Sequence, residues 1–507
     1  MAPDSNRPIN TRMVLVTVAL SLMTVVSAVA GLNVALPEMA VDIGASQTEL
    51  TWIVDSYTVI FAGLLLLAGA IADRHGRKRI LFVGLVLFAL ASTAGLFADS
   101  ATSLIVIRMV SGLGAACIMP STLSVITTSF PEEERAKAVG VWVGVAGGGA
   151  VIGIFGTALL LIWFPWNSFF ALNLTLAILG ILGTLRFVPD SHEESTAPLD
   201  WVGGLLSIIG VGALVFGIIE GADRGWTEGL TAGALVLGIT GLVAFVLWEL
   251  RATQPLLDPR LFTNRAFSAG SLSITIQFFA QFGFIFVGLQ YLQFVAGFTP
   301  IQAALRLLPM AFIILPASRA AGAISMRVPQ KYLGAGGMVS LGIGLLMMSR
   351  LGVEFNVWWF WAALAFFGFG VAFSATPATA AITSALPREK QGVASAVNDT
   401  SREFGSAVGI AVLGAALTSI YKSAVVDNVS GLGLPPQALE GLQRGVAAVS
   451  RTPPPQVAPI WDRIVLAAHE AFVSGMHVAL TIAGVAALLA AVAIFVIAPR
   501  KALPTLD

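Results

Sequence analysis

The chain has 507 residues, of which 57% are apolar and only 11% charged; Lys+Arg and Asp+Glu balance at 28 each, and the mean hydropathy is +0.87. A water-soluble domain carries roughly 25% charged residues, and apolar content this high would leave aggregation-prone patches in water. The solvent for most of the surface is therefore lipid, and a zero formal net charge gives no reason to expect a nucleic-acid partner.

A lipid-spanning helix needs about 20 largely apolar residues, and fourteen such runs occur in chain order, at 13–36, 50–72, 79–97, 102–129, 138–162, 167–188, 201–220, 230–250, 267–291, 301–325, 332–350, 357–385, 392–420 and 472–497. Within the first run, Ser27-Ala28-Val29-Ala30 has the small residues of a signal cleavage site. The apolar stretch continues to Leu36 and lacks a strongly basic preceding segment, so a retained helix is expected. With a cytoplasmic N-terminus, the inside segments hold about 19 of the 28 Lys and Arg residues. Both termini are then cytoplasmic, and residues 422–466, around Pro453, Pro454 and Pro455, form a long, partly disordered outer loop.

Two short connections match each other. Gly69 to Lys78 reads GAIADRHGRK and Gly322 to Lys331 reads GAISMRVPQK, with Gly, Ala, Ile, Arg and Lys at corresponding offsets. Each joins the second and third runs of a six-run block, as a duplicated half requires. This divides the chain into a six-helix bundle over 1–190, an inserted helix pair with linkers over 191–265, and a second six-helix bundle over 266–507 that contains the outer loop.

The first of these loops, Gly69-Ala-Ile-Ala-Asp73-Arg74-His-Gly76-Arg77-Lys78-Arg79, resembles the signature loop of the major facilitator superfamily. A basic topogenic loop accounts for Arg77 to Arg79 but not for Asp73 and the two glycines. The resemblance implies a gate built from Gly69, Asp73, Arg74, Gly76, Arg77 and Lys78. The second copy has Met326 and Pro329 where Asp73 and Gly76 stand, so only the first half keeps the complete gate. Further segments narrow the likeness to the 14-span drug:proton antiporters of the quaternary-ammonium and multidrug exporter type. These are Asn33-Val-Ala-Leu-Pro37, Trp52-Ile-Val-Asp55-Ser-Tyr57, Arg108-Met-Val-Ser-Gly112, Leu199-Asp200-Trp201, Glu220, Gly225-Trp226 and Gln290-Tyr291-Leu-Gln293. What the likeness implies is an all-α membrane protein of the major facilitator fold, with two six-helix bundles, two inserted helices and 14 transmembrane helices. Two departures stand out. Ala28 occupies the place of an aspartate usual in the relatives, and in the fifth run Gly153 is followed by Ile154 rather than proline, with Thr157-Ala158 in place of paired glycines.

An ionisable residue inside a span costs roughly 2.5–3.5 kcal/mol at the centre and is a functional candidate by default. Asp55, Arg108, Asp399, Arg402 and Glu403 qualify, while Arg306, near the start of the tenth run, reads as an interfacial residue with its head in water. Asp399 and Glu403 are four residues apart, so they share one helical face about 6 Å apart along the axis. Two carboxylates this close in a low dielectric do not both ionise easily, and a carboxyl that keeps its proton near neutral pH is what proton exchange requires. Asp55, Asp399, Glu403 and Arg108 are the candidates for proton coupling. A substrate cavity also needs amide and aromatic surface, for which Asn33, Trp142, Gln277, Gln281, Phe284 and Asn398 are the candidates; aromatic faces bind organic cations through their quadrupole.

The single cysteine, Cys117, excludes an internal disulfide, and four scattered histidines give no metal-ligand spacing, so neither metal nor cofactor is expected. No phosphate-binding loop, metalloprotease motif or nucleophile elbow occurs, so an enzyme is not expected. The expected function is secondary active export of hydrophobic or cationic small molecules in exchange for protons, by a monomer in the plasma membrane. A facilitator or proton-coupled importer of a metabolite is the alternative, favoured by Ala28 and Ile154.

Overall fold

The computed structural model describes residues 10–190, 199–325, 327–386, 391–455 and 457–500, with every side chain in those ranges except those of 132, 133, 135–137, 139, 143, 146–148, 391 and 392. Lipid offers no hydrogen bonds to the backbone, so a crossing segment satisfies its own amides as a helix. All regular structure among the described residues is helical. The first bundle comprises α1 (Thr11–Ile43), α2 (Gln47–His75), α3 (Arg77–Gly95), α4 (Ala101–Ser129), α5 (Glu132–Leu160) and α6 (Ser168–Phe187). A hairpin of α7 (Trp201–Arg224) and α8 (Gly229–Glu249) follows. The second bundle comprises α9 (Arg265–Gln290), α10 (Pro300–Ser325), α11 (Gln330–Met348), α12 (Val357–Ser384) and α13 (Gln391–Val429), then the short α14 (Pro436–Gln443) and α15 (Trp461–Ile497). Thirteen of the described helices are long and apolar enough to cross a membrane. The remaining expected span, 138–162, falls in α5, whose described apolar part is Gly149–Leu160.

Local signals start the helices where the sequence places them. Ser46 and Glu49 form a reciprocal capping box at α2, with Glu49 N–H donating to Ser46 Oγ at 3.2 Å and Ser46 N–H donating to Glu49 Oε2 at 2.7 Å. Asn10 and Ser100 accept the same kind of bond at the starts of α1 and α4. Small residues then set the packing. A side-chain carbon on Gly153 would lie 2.7 Å from Ser27 Cα, and one on Gly31 would lie 2.7 Å from the Gly153 carbonyl oxygen. α1 and α5 therefore touch backbone to backbone, as small-residue pairs permit in membranes. Ser27 also donates to Asn173 Oδ1 of α6 at 3.0 Å, so the small-residue run in α1 is an internal packing face. α5 is one continuous helix through Ile154, without a proline to bend it.

The segment 422–466 differs from expectation: its described residues form an ordered cap. α13 runs to Val429 and α15 begins at Trp461, each longer than the apolar run that announced it. At 1.5 Å per residue these helices are about 58 and 55 Å long, well beyond the roughly 30 Å hydrocarbon core. Between them the chain buries Leu442, Val446, Val449 and Val457. Tyr421 donates to the Leu442 carbonyl at 3.0 Å and Asn428 to that of Ala467 at 3.1 Å, which fixes the cap to the helices that carry it.

α2 packs on α13 and α5 on α10 where the bundles meet, and α7 lies against both α2 and α13. The hydrogen bonds and ion pairs between described residues that join the two bundles all sit at the cap end. Gln293 donates to the Val34 carbonyl at 3.1 Å, Arg451 Nη2 to that of Val41 at 2.6 Å, and Gln47 N–H to that of Arg444 at 2.7 Å; Arg444 Nη2 lies 3.6 Å from Glu49 Oε2. α7 is anchored there twice, by Trp52 Nε1 donating to Glu220 Oε1 at 2.8 Å and by an ion pair between Asp223 and Lys422. Toward the other end of α5, Gly140 and Gly144 face open space.

Candidate functional site

Two polar centres stand on either side of the interface between the bundles. In the first bundle, Arg108 of α4 is 1% exposed. Its Nε donates to the Ile53 carbonyl at 3.2 Å and its Nη1 to that of Ala28 at 3.4 Å, while Nη2 is buried with no hydrogen-bond partner. The guanidinium lies 4.2 Å over the Tyr57 ring, a desolvated cation–π contact. The position where relatives place a carboxylate thus gives Arg108 a backbone oxygen instead. Asp55, two residues before Tyr57 on α2, is wholly buried; Thr58 donates to its Oδ1, and Oδ2 has no partner. No cation lies within ion-pair distance of Asp55 among the described residues. Asn33 donates to the Val29 carbonyl at 3.0 Å and its buried Oδ1 is unpaired.

The second bundle presents carboxylates. Asp399 and Glu403 are one turn apart on α13, with Arg402 between them in sequence. Arg402 forms no ion pair within 4.0 Å with either; its guanidinium instead lies 5.2 Å from the Phe278 ring centroid, and its Nε is buried without a partner. Phe278 stacks on Phe282, with centroids 5.7 Å apart and an interplanar angle of 19°. Beside them Gln277 Nε2 donates to Gln281 Oε1 at 3.2 Å and Ser374 Oγ donates to Gln277 Oε1 at 3.2 Å. Thr379 donates to Asn398 Oδ1 at 3.3 Å. Tyr57 lies under the Arg108 guanidinium on α2, the helix that packs against α13 at the seam.

Several candidates fall elsewhere. Phe284 is 2% exposed and packs on Phe367 of α12, with centroids 5.0 Å apart, so it is bundle core rather than cavity wall. Trp142 is 5% exposed and donates to Thr122 Oγ1 at 3.1 Å within the first bundle. Arg306, at the start of α10, places its guanidinium 3.4 Å from the Phe298 ring centroid and donates from Nη1 to the Gln302 carbonyl at 3.0 Å, with Nε buried. Tyr57, Phe278 and Ser374 carry more of the site than the sequence suggested. For Tyr57 the available signal was its place two residues after Asp55. Among the described residues, no group of three or more His, Cys, Asp or Glu side chains could hold a metal ion.

At the end opposite the cap, Gly76 separates α2 from α3 with φ +108°, a conformation L side chains rarely adopt. This turn lets Asp73 Oδ1 accept from Arg77 Nε at 2.8 Å across the break, with Arg77 only 7% exposed. Gly69 packs against Pro120 of α4, and Arg74 and Lys78 flank the turn, half-buried. Pro329 stands at the start of α11 as Gly76 stands at the start of α3, but with φ −55°. Met326 lies outside the described residues.

A profile of the Major Facilitator Superfamily matches residues 18–410. The chain is 33% identical over 469 residues to the methyl viologen resistance protein SmvA of Salmonella typhimurium, covering 91% of this chain and 93% of that one. It is 33% identical to the multidrug efflux pump LfrA of Mycolicibacterium smegmatis over 462 residues, 90% of each chain. With the multidrug resistance protein Stp of Mycobacterium tuberculosis it shares 32% identity over 463 residues, 89% of this chain and 85% of that one. Its fold is similar to that of a bacterial homolog to the human lysosomal transporter Spinster, at TM-score 0.63 and 18% identity, covering 96% of this chain and 98% of that one.

Proposed function

The chain belongs to the major facilitator superfamily, and on that premise we propose that it exports hydrophobic or cationic small molecules across the plasma membrane in exchange for protons. The observation that carries this reading is the Asp399–Glu403 pair, which has no cation within ion-pair distance among the described residues. Two carboxylates about 6 Å apart repel by roughly 3 kcal/mol at an effective dielectric of 20. One proton relieves that repulsion, and so does one organic cation. The two neutralising species compete for the same pair, and a site that holds either but not both exchanges one for the other as it faces alternate sides. Gln277, Gln281, Phe278 and Phe282 supply the amide and aromatic surface for the body of such a cation. The relatives' names agree: methyl viologen is an aromatic dication.

In this reading both termini are cytoplasmic, the cap faces outward, and the bonds between bundles hold the outer end closed. The Asp73–Arg77 loop gates the inner end, and one chain is the working unit. The test is proton release on adding methyl viologen to purified protein in liposomes, read by an internal pH dye. Release that saturates with substrate and disappears in Glu403→Gln supports exchange; substrate movement indifferent to the pH gradient contradicts it. A tag between 430 and 455 is expected to be accessible on intact cells and one at Lys501 is not. A second reading, a facilitator or proton-coupled importer of a metabolite, is favoured by Arg108 meeting the Ala28 carbonyl rather than a carboxylate. It predicts substrate flux without proton release, or proton movement in the same direction as substrate.

A further inference from the structure

At the cap end a cavity of about 280 Å³ opens between the two bundles. The first bundle contributes Ala40 at the end of α1 and the turn residues Gly44 and Ala45; the second contributes α14, the segment that follows it and the first turn of α15. Its apolar lining includes Leu442, Val457, Trp461 and Ile464; two arginines, Arg444 and Arg451, also line it, and no acidic residue does so among the described residues. Both arginines also belong to the contacts that close this end, through Arg451 to the Val41 carbonyl and Arg444 to Gln47 and Glu49.

An apolar floor under two cations fits a flat hydrophobic body with one negative charge, because charge-assisted bonds to guanidinium are the strong ones and a carboxylate matches its fork. The transported molecules of the export reading are cations or neutral, so they do not fit this wall. We propose that the cavity is an outer-face binding site for small aromatic monocarboxylates, and that occupancy locks the cap end closed. The locking follows from linkage. The walls come from both bundles and separate when the cap end opens, so a ligand that needs both walls binds the closed state more tightly and shifts the population toward it. The binding step is independent of the export reading; the locking step rests on it.

The test uses the full-length protein in phosphatidylcholine nanodiscs with 2-naphthoate as probe and neutral 2-naphthamide as control, measured by equilibrium dialysis. One saturable site is expected, with naphthoate binding about tenfold tighter than the amide. Arg444→Gln and Arg451→Gln are each expected to weaken naphthoate about tenfold and leave the amide unchanged. Ala438→Trp fills the cavity from α14 without removing either guanidinium and is expected to abolish binding, so the proposal does not hang on variants that also loosen the cap. In liposomes, external naphthoate is expected to slow methyl viologen transport by the parent protein and not by Ala438→Trp. Equal affinity for acid and amide, or binding indifferent to both Arg variants and to Ala438→Trp, overturns the site. Saturable, arginine-dependent binding with unchanged transport overturns the locking. Loss of proton exchange in the parent protein, by contrast, removes the export reading and leaves the dialysis result standing.

Discussion

The two bundles place charge at their shared seam in opposite ways. The first buries a cation, Arg108, whose partners are the carbonyls of Ile53 and Ala28 and the face of Tyr57. The second holds two carboxylates around a guanidinium that turns toward Phe278 instead of pairing with them. A cation held by backbone oxygens and a ring has a fixed charge and nothing to exchange, whereas unpaired carboxylates can be neutralised in more than one way. In the proposed reading the two bundles share an architecture while the exchange chemistry resides in one of them. The second bundle is then the active partner, and the unpaired Asp55 is the carboxylate through which the first would take that role instead.

The largest expected effect breaks that comparison directly. Glu403→Gln and Asp399→Asn remove the repulsion of roughly 3 kcal/mol that makes the pair exchange its charge, so gradient-driven accumulation should fall roughly 100-fold in each. Counterflow of substrate down its own gradient is expected to persist in part, because the amide and aromatic surface remains. Accumulation assays in vesicles with an imposed pH gradient read this. If both variants keep gradient-driven transport and Asp55→Asn alone loses it, the active carboxylate lies in the first bundle and the comparison is reversed.

A smaller effect sharpens the contrast from the other side. Arg108→Met keeps an unbranched apolar stem but gives up both carbonyl contacts and the charge over Tyr57. Transport is expected to fall about tenfold with the shape of its pH profile unchanged, because hydrogen bonds to a charged group contribute about 1.5–3 kcal/mol and Arg108 carries no exchangeable proton. A displaced pH profile would make Arg108 a participant in coupling. The smallest effect concerns the loops. Asp73→Asn removes the partner of Arg77 Nε, and transport should drop about threefold to tenfold at normal membrane abundance, measured by initial rates and surface labelling. The equivalent loop of the second bundle has Pro329 where the first has Gly76, so Pro329→Ala is expected to leave the rate within about twofold.

Much of the architecture was legible because the bilayer enforces it. A segment that crosses must be helical and about 20 residues long, so hydropathy alone finds the spans. The pairing of Asp399 with Glu403 on one face follows from helical periodicity. What periodicity cannot give is direction. In water an apolar stripe marks the core, but in lipid both the core face and the outer face are apolar, so nothing in the sequence around Phe284 or Trp142 distinguishes cavity from bundle interior. The cap was missed for another reason. α14 is one short helix among prolines, and its order comes from long-range bonds such as Tyr421 to Leu442 and Arg451 to Val41, which leave no local trace. The stacking of Arg108 on Tyr57 likewise joins two helices whose contacting residues are far apart in sequence.

The α7–α8 hairpin has a consequence for the route that a lipid-dissolved molecule can take. α7 lies along both α2 and α13, where Val211, Val215 and Ile219 meet Val59, Ala407 and Ala411 in a closed apolar junction. That side of the seam therefore has no lateral doorway to the membrane. The other side, between α5 and α10, carries no such helix among the described residues, and Gly140 and Gly144 of α5 face open space. An amphipathic compound partitioned into the leaflet should enter sideways past α5. Gly144→Trp is then expected to slow transport of strongly lipophilic compounds several-fold while sparing water-soluble ones, a split that uptake assays graded by octanol partitioning can measure. Equal slowing of both classes would mean that the entrance is the aqueous mouth instead.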